Sequence, residues 1–427
     1  MRCSFLLLFS LLIPFTLISQ SNTIEYGQSK AQTEILNLDC LHAKGFTGKG
    51  VTIAHLDDGF DGFDEMAVFD YSRKKGLLKA DFDFVRNGPM KMSDNGSHGT
   101  NTLSIVNGYL PGQYVGTAFN ANILLAHTED NRSETHQEEH NWRKAVDWCL
   151  ENDADIITSS LQYNTFDKGE GDYSYKDMNG KTTIITNAAD YAASKGILVV
   201  AIQGNFGTQK WHYVTAPGDA DSVLTVGAVN TAGIKAGFSS FGPTADGRIK
   251  PDVMAVGQAT IVVDPNGTIR PGNGTSFAGP AMAGLAACLK QAHPDRSNME
   301  IIAAIRQSSD RYNHPDKTEG YGYGIPDACK ADEILSNLSE SIKSWGKEIK
   351  REKFTYHMSN KALCLTPLID RSLIDRVELY NVFEEKLISQ SGKKKKVKFK
   401  KLKGGNYILK IFPKEGEVMV ENLVIND

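Results

Sequence analysis

Three short stretches carry residue types that could activate a nucleophile. They are His55-Leu56-Asp57-Asp58-Gly59, Gly96-Ser97-His98-Gly99-Thr100 and Asn273-Gly274-Thr275-Ser276-Phe277-Ala278-Gly279-Pro280. A serine hydroxyl is a weak nucleophile at neutral pH and needs a base. Histidine titrates in a suitable range. An aspartate behind it fixes the imidazole tautomer and stabilises the imidazolium. Asp57, His98 and Ser276 supply one of each. Taken singly, each has a plain structural explanation, Ser276 above all, since serine is a favoured helix N-cap. The run that follows it, Phe277 to Leu289, is apolar, rich in alanine and helically spaced. Such a helix would aim its free N–H groups and the positive end of its dipole at Ser276.

These residues need a frame to hold them. From residue 51 onward, apolar runs alternate with helical ones. Strands are expected at 51–57, 81–85, 122–127, 154–161, 197–203 and 222–229, and helices at 137–151, 186–196, 276–292 and 297–308. Continuous apolar strands between helices imply an α/β fold, a mostly parallel sheet covered on both faces. Sites in such sheets lie at the carboxyl ends of the strands. Asp57 closes the first strand, and Asn205 follows the fifth.

The three stretches in the order Asp, His, Ser resemble the subtilisin-like serine peptidases, the subtilases. Asp57-Asp58-Gly59, His98-Gly99-Thr100 and Gly274-Thr275-Ser276-Phe277-Ala278-Gly279-Pro280 carry the resemblance, supported by Ser222–Val229, Phe238–Ala255 and Tyr321–Pro326. It spans about residues 25–330 and implies a three-layer αβα peptidase domain. It implies that Asn205, after Gly204, donates to the oxyanion together with the Ser276 N–H. It also implies that Ser160-Leu161-Gln162 pairs with the substrate backbone and that Gly204 faces it. Gln162, Ile202 and Gln203 stand where small residues are usual, so a restricted primary specificity is expected. The loop after His98 is too short for the family's tight calcium site. No metal or cofactor is expected, and calcium is not indicated.

The chain has 427 residues and a net charge of −4, with 41% apolar and 23% charged residues. That gives no basic footprint for nucleic acid. Residues 1–19 read as a signal peptide: Arg2, a short apolar core containing Pro14, then Ser19-Gln20. Nothing after them is apolar enough to span a bilayer. The expected organisation is a peptidase domain over 20–335, a linker over 336–353 and a small β-sandwich-like module over 354–427. In that module, Val377–Leu387, Phe399–Ile411 and Val418–Ile425 resemble the sorting domain of type IX secretion cargo in Bacteroidota. This implies secretion machinery as a partner and a secreted or cell-surface protein. The lysine run Lys393–Lys396 alternates onward into a strand pattern and reads as a solvated face. Five cysteines follow the signal segment. Cys149 and Cys288 lie on apolar helical faces, and Cys40 with Cys329 is a bridge the sequence allows without establishing. His136-Gln137-Glu138-Glu139-His140 matches a zinc-peptidase pattern but sits in an acidic stretch suited to a helix start. The expected activity is endopeptidase hydrolysis of protein or peptide substrates. The rival reading is a subtilase-like surface binding protein that no longer cleaves.

Overall fold

A computed structural model describes residues 24–93, 96–345 and the strands between 354 and 425. The signal-like segment and the lysine run Lys393–Lys396 lie outside the described residues. Seven strands form the central sheet: β1 (Thr52–Asp57), β2 (Leu78–Asp83), β3 (Asn122–His127), β4 (Ile156–Ser159), β5 (Leu198–Ile202), β6 (Leu224–Val229) and β7 (Val253–Val256). Their order is β2-β3-β1-β4-β5-β6-β7, and every neighbouring pair is parallel.

Successive side chains of a strand point to opposite faces, so a strand covered on both sides must be apolar at every position. In β5, Leu198 and Val200 pack into one core and Val199 and Ala201 into the other. The first core is closed by helices α1 (His98–Asn107), α4 (Thr275–Ala292) and α5 (Asn298–Ser308), and the second by α2 (His136–Glu151) and α3 (Ile184–Ser194). The expected αβα layering is present. The chain runs from β1 to β2 and β3 on one side, then crosses to β4 and onward on the other. That reversal opens a crevice at the carboxyl ends of β1 and β4.

Several boundaries differ from the sequence expectation, for physical reasons. The strand expected at 81–85 is Leu78–Asp83, because the Asp83 carboxylate accepts the Val85 and Arg86 N–H groups and turns the chain. Strand β7 has only four residues and was not anticipated. Nor was the hairpin β8 (Gln258–Val263) with β9 (Ile269–Asn273), which delivers the chain to Ser276. Helix α6 (Ala328–Trp345) continues across the first ten residues of the stretch read as a linker. Cys40 and Cys329 form a disulfide that joins the short helix Asp39–Ala43 to α6. Cys149 and Cys288 are buried thiols.

After α6 the described strands are β10 (Phe354–Ser359), β11 (Ala362–Pro367), β12 (Ile374–Asn381), β13 (Lys386–Ser391), β14 (Val397–Lys400), β15 (Gly405–Pro413) and β16 (Met419–Ile425). They form two antiparallel sheets, β10-β11-β14 and β13-β12-β15-β16. The all-β character was expected; β10, β11 and β13 were not read as strands.

Candidate active site

Asp57 is the last residue of β1 and is 2% exposed. Its Oδ1 accepts the Nδ1–H of His98 at 2.6 Å and the Asp58 N–H at 2.9 Å. Its Oδ2 accepts the Thr102 hydroxyl at 3.0 Å. His98 opens α1, and Gly99 lets that helix dock on β1. A Cβ at Gly99 would lie 2.2 Å from the Gly59 carbonyl oxygen and 2.9 Å from Asp57 Cβ. Burial works against the His98 imidazolium, but Asp57, then Asp58 and Glu129, outweigh it and raise its pKa to about 9. Burial, then the charge of Asp57, raises the pKa of the Asp58 carboxyl.

Ser276 lies in the first turn of α4, where backbone N–H groups lack intrahelical partners. Its hydroxyl donates to the Ser160 carbonyl at 3.4 Å; among the described residues no hydrogen bond joins it to His98. Pro280 sits inside α4 and cannot donate to the Ser276 carbonyl four residues earlier. The Ser160 hydroxyl donates to that freed carbonyl instead, at 2.8 Å. Proline in the helix thus ties the exit of β4 to the serine.

Gly204 and Asn205 follow β5. Gly204 has φ +103°, and a Cβ there would lie 2.7 Å from Thr215 Oγ1, so the position demands glycine. The Asn205 side-chain oxygen accepts both the Thr275 N–H and the Thr275 hydroxyl at 2.9 Å. With its oxygen held, the amide presents Nδ2, which has no hydrogen-bond partner among the described residues. Gln162, expected to crowd the specificity region, has a further contact that its position in the sequence did not reveal. Its side-chain oxygen accepts the Asn205 N–H at 2.9 Å, so it bridges the segments leaving β4 and β5. Leu161 packs against the second core, and Ile202 is fully buried in β5. Gln203 is buried, and neither of its amide atoms has a hydrogen-bond partner among the described residues.

Asp58, His98, Ser160, Leu161, Gln162, Asn205 and Ser276 open onto one cleft of about 710 Å³. Asp57 and Gly204 support it from behind. Asp57, Asp58 and His98 bring one ligand atom each within 4.8 Å of one another, the only such group of three among the described residues. Asp57 and His98 are already joined to each other by the Nδ1–H to Oδ1 bond. The zinc-like pattern has other work. His136 bonds Glu139 and the Gly171 carbonyl, while Glu138 completes a capping box with Thr135 at the start of α2.

Residues 48–324 match the family model described as the subtilase family. The chain belongs to the subtilase family. It is 29% identical to subtilisin NAT of Bacillus subtilis subsp. natto, over 66% of this chain and 65% of that protein. The match to the serine protease AprX of Bacillus subtilis (strain 168) is 30% identical and covers 66% of each. The chain thus spans just under two thirds of the length of each of these two relatives. Among solved structures, the fold of this subtilase is similar to MycP1 from Mycobacterium smegmatis, with a TM-score of 0.54 and 23% identity over 74% of this chain and 86% of that one. No described helix is long and apolar enough to cross a membrane.

Proposed function

We propose that this subtilase is a serine endopeptidase. The observation that carries the reading is the bond from buried Asp57 to His98, in a cleft shared with Ser276 and the unpaired Nδ2 of Asn205. Ser276 Oγ attacks the scissile carbonyl carbon while His98 Nε2 takes its proton. Asn205 Nδ2 and the Ser276 N–H hold the negative oxygen. The C–N bond breaks as His98 returns the proton to the leaving amine. Water then adds to the acyl-enzyme by the same route and frees the acid. For this, the Ser276 hydroxyl exchanges the Ser160 carbonyl for His98 Nε2. Catalytic hydrogen bonds often tighten only when substrate is bound.

Gln162 restricts the primary specificity, since its side chain occupies the space between the segments after β4 and β5. Residues 20–335 are the peptidase domain and 354–427 a sorting module. The signal-like segment and the resemblance of that module support a secreted or surface protein handled by a secretion machinery. No bound metal is needed for the proton transfers. Hydrolysis of fluorogenic peptides by the full chain, beside Ser276→Ala, tests the reading. Turnover by wild type alone is expected. Equal turnover by both would assign the hydrolysis to another group, and none by either would favour the non-cleaving binding protein.

A further inference from the structure

One wall of the same cleft is acidic, although burial raises the pKa of one member, Glu129, to about 8 and leaves it largely uncharged at neutral pH. Asp58, Glu129, Asp130, Glu134, Glu138 and Asp167 line the cleft, and the only Lys or Arg among its lining residues is Arg132. That guanidinium is committed to Asp130 through two bonds of 2.7 Å. The other five carboxylates have no lysine or arginine within ion-pair distance among the described residues. They do not form a site of their own. They line the same cleft as Ser276 and His98, so a peptide held across Ser276 lies beside them.

Their hydrogen bonds show which are spoken for. Glu129 accepts from Thr128 and Tyr163, one on each oxygen. Glu138 likewise accepts the Asp130 and Thr135 N–H groups. Asp58 accepts the Gly99 N–H and, at 3.3 Å, the Asn131 amide, both neutral donors. Glu134 lines the cleft, and its carboxylate has no partner among the described residues. Partial burial against the cleft, then the charges of Glu138 and Asp167, raises its pKa to about 7.

We propose that the cleft selects peptides carrying lysine or arginine close to the scissile bond, with Glu134 and Asp58 as the side chains that read the cation. This rests on the peptidase reading above. A bound lysine or arginine neutralises a wall that otherwise repels itself, and an anionic residue in its place meets like charge.

The test is a set of fluorogenic peptides identical but for lysine or arginine against norleucine or citrulline at each position around the cleaved bond. At least one position is expected to favour the cation roughly tenfold in kcat/KM. Glu134→Gln and Asp58→Asn should each shrink that ratio. Should a variant fail to fold, raising salt from about 0.05 M to 0.5 M should shrink the same ratio in wild type. Cleavage without charge preference at any position, or a preference indifferent to salt and to both substitutions, would overturn the proposal and leave the peptidase reading standing. So would a melting shift on adding calcium chloride alone without charge preference, which would make the wall a cation site. Absence of any cleavage would instead refute the peptidase reading.

Discussion

Two buried acids, at opposite ends of the parallel sheet, each hold a basic group. Before β7, Asp252 binds Lys250 Nζ at 2.8 Å, Arg306 at 2.7 Å and the Thr225 N–H at 2.7 Å. Lys250 spends its other two protons on the Val223 carbonyl and the Thr225 hydroxyl, and its side chain is 2% exposed. After β1, Asp57 binds His98 at 2.6 Å just as closely. Yet the His98 side chain is 35% exposed, and its Nε2 has no partner among the described residues. The contrast lies in what is left over. At the amino end the donors of the lysine are consumed, and the group can only hold the fold. At the carboxyl end one nitrogen, one amide and one hydroxyl keep hydrogen-bonding capacity beside a cleft, among the described residues, which is what the proposed proton transfers require.

That contrast can be broken at either end. Ser276→Ala should lower peptide hydrolysis by roughly 10⁴–10⁶-fold while leaving the urea midpoint in place. Among the described residues the serine hydroxyl makes only one long hydrogen bond, so little stability goes with it. Asp252→Asn should do the reverse. It strands a buried ammonium and should cost about 3–5 kcal/mol in urea unfolding, with hydrolysis per folded molecule preserved.

Asn205→Ala should lower kcat roughly 10²–10³-fold. Asn205→Asp sharpens the point, because it keeps an acceptor for Thr275 but loses the donor; it should be as impaired as the alanine variant. The smallest effect is in the pH profile. His98 must be neutral to act as a base, and its pKa is raised to about 9, burial opposing and Asp57 and Asp58 dominating. With an uncharged peptide, kcat/KM should therefore climb with pH to an alkaline plateau. Asp58→Asn should move that limb to lower pH. The same shift means that the His98 ion pair contributes its full stability below the ordinary histidine pKa of ~6.5 and loses it as pH rises through about 9.

Much of the candidate site was legible in the sequence because it is local. His98 sits beside a glycine that the geometry requires, Asp57 ends one apolar element and Ser276 begins another, and the buried strands announce themselves as unbroken apolar runs. What stayed hidden depends on contacts between distant segments. That Pro280 frees a carbonyl for Ser160, or that Gln162 reaches the Asn205 N–H, follows only once β4, β5 and α4 are neighbours. The acidic wall is assembled from residue 58, residues 129–138 and residue 167, and no spacing rule joins them. Strand β7 is too short for periodicity to register. Asp83 ended its strand through side-chain bonds to the backbone beyond it, which composition does not disclose.

Labelling with a fluorophosphonate tests the central claim most directly, since the reagent reports an activated serine without requiring the natural substrate. Purified full-length wild type, Ser276→Ala and His98→Ala should be treated side by side and mapped by mass spectrometry. The account predicts label on the Ser276 peptide of wild type, none on Ser276→Ala and strongly slowed labelling of His98→Ala. Folded wild type that resists the reagent, or labels equally without His98, would contradict it.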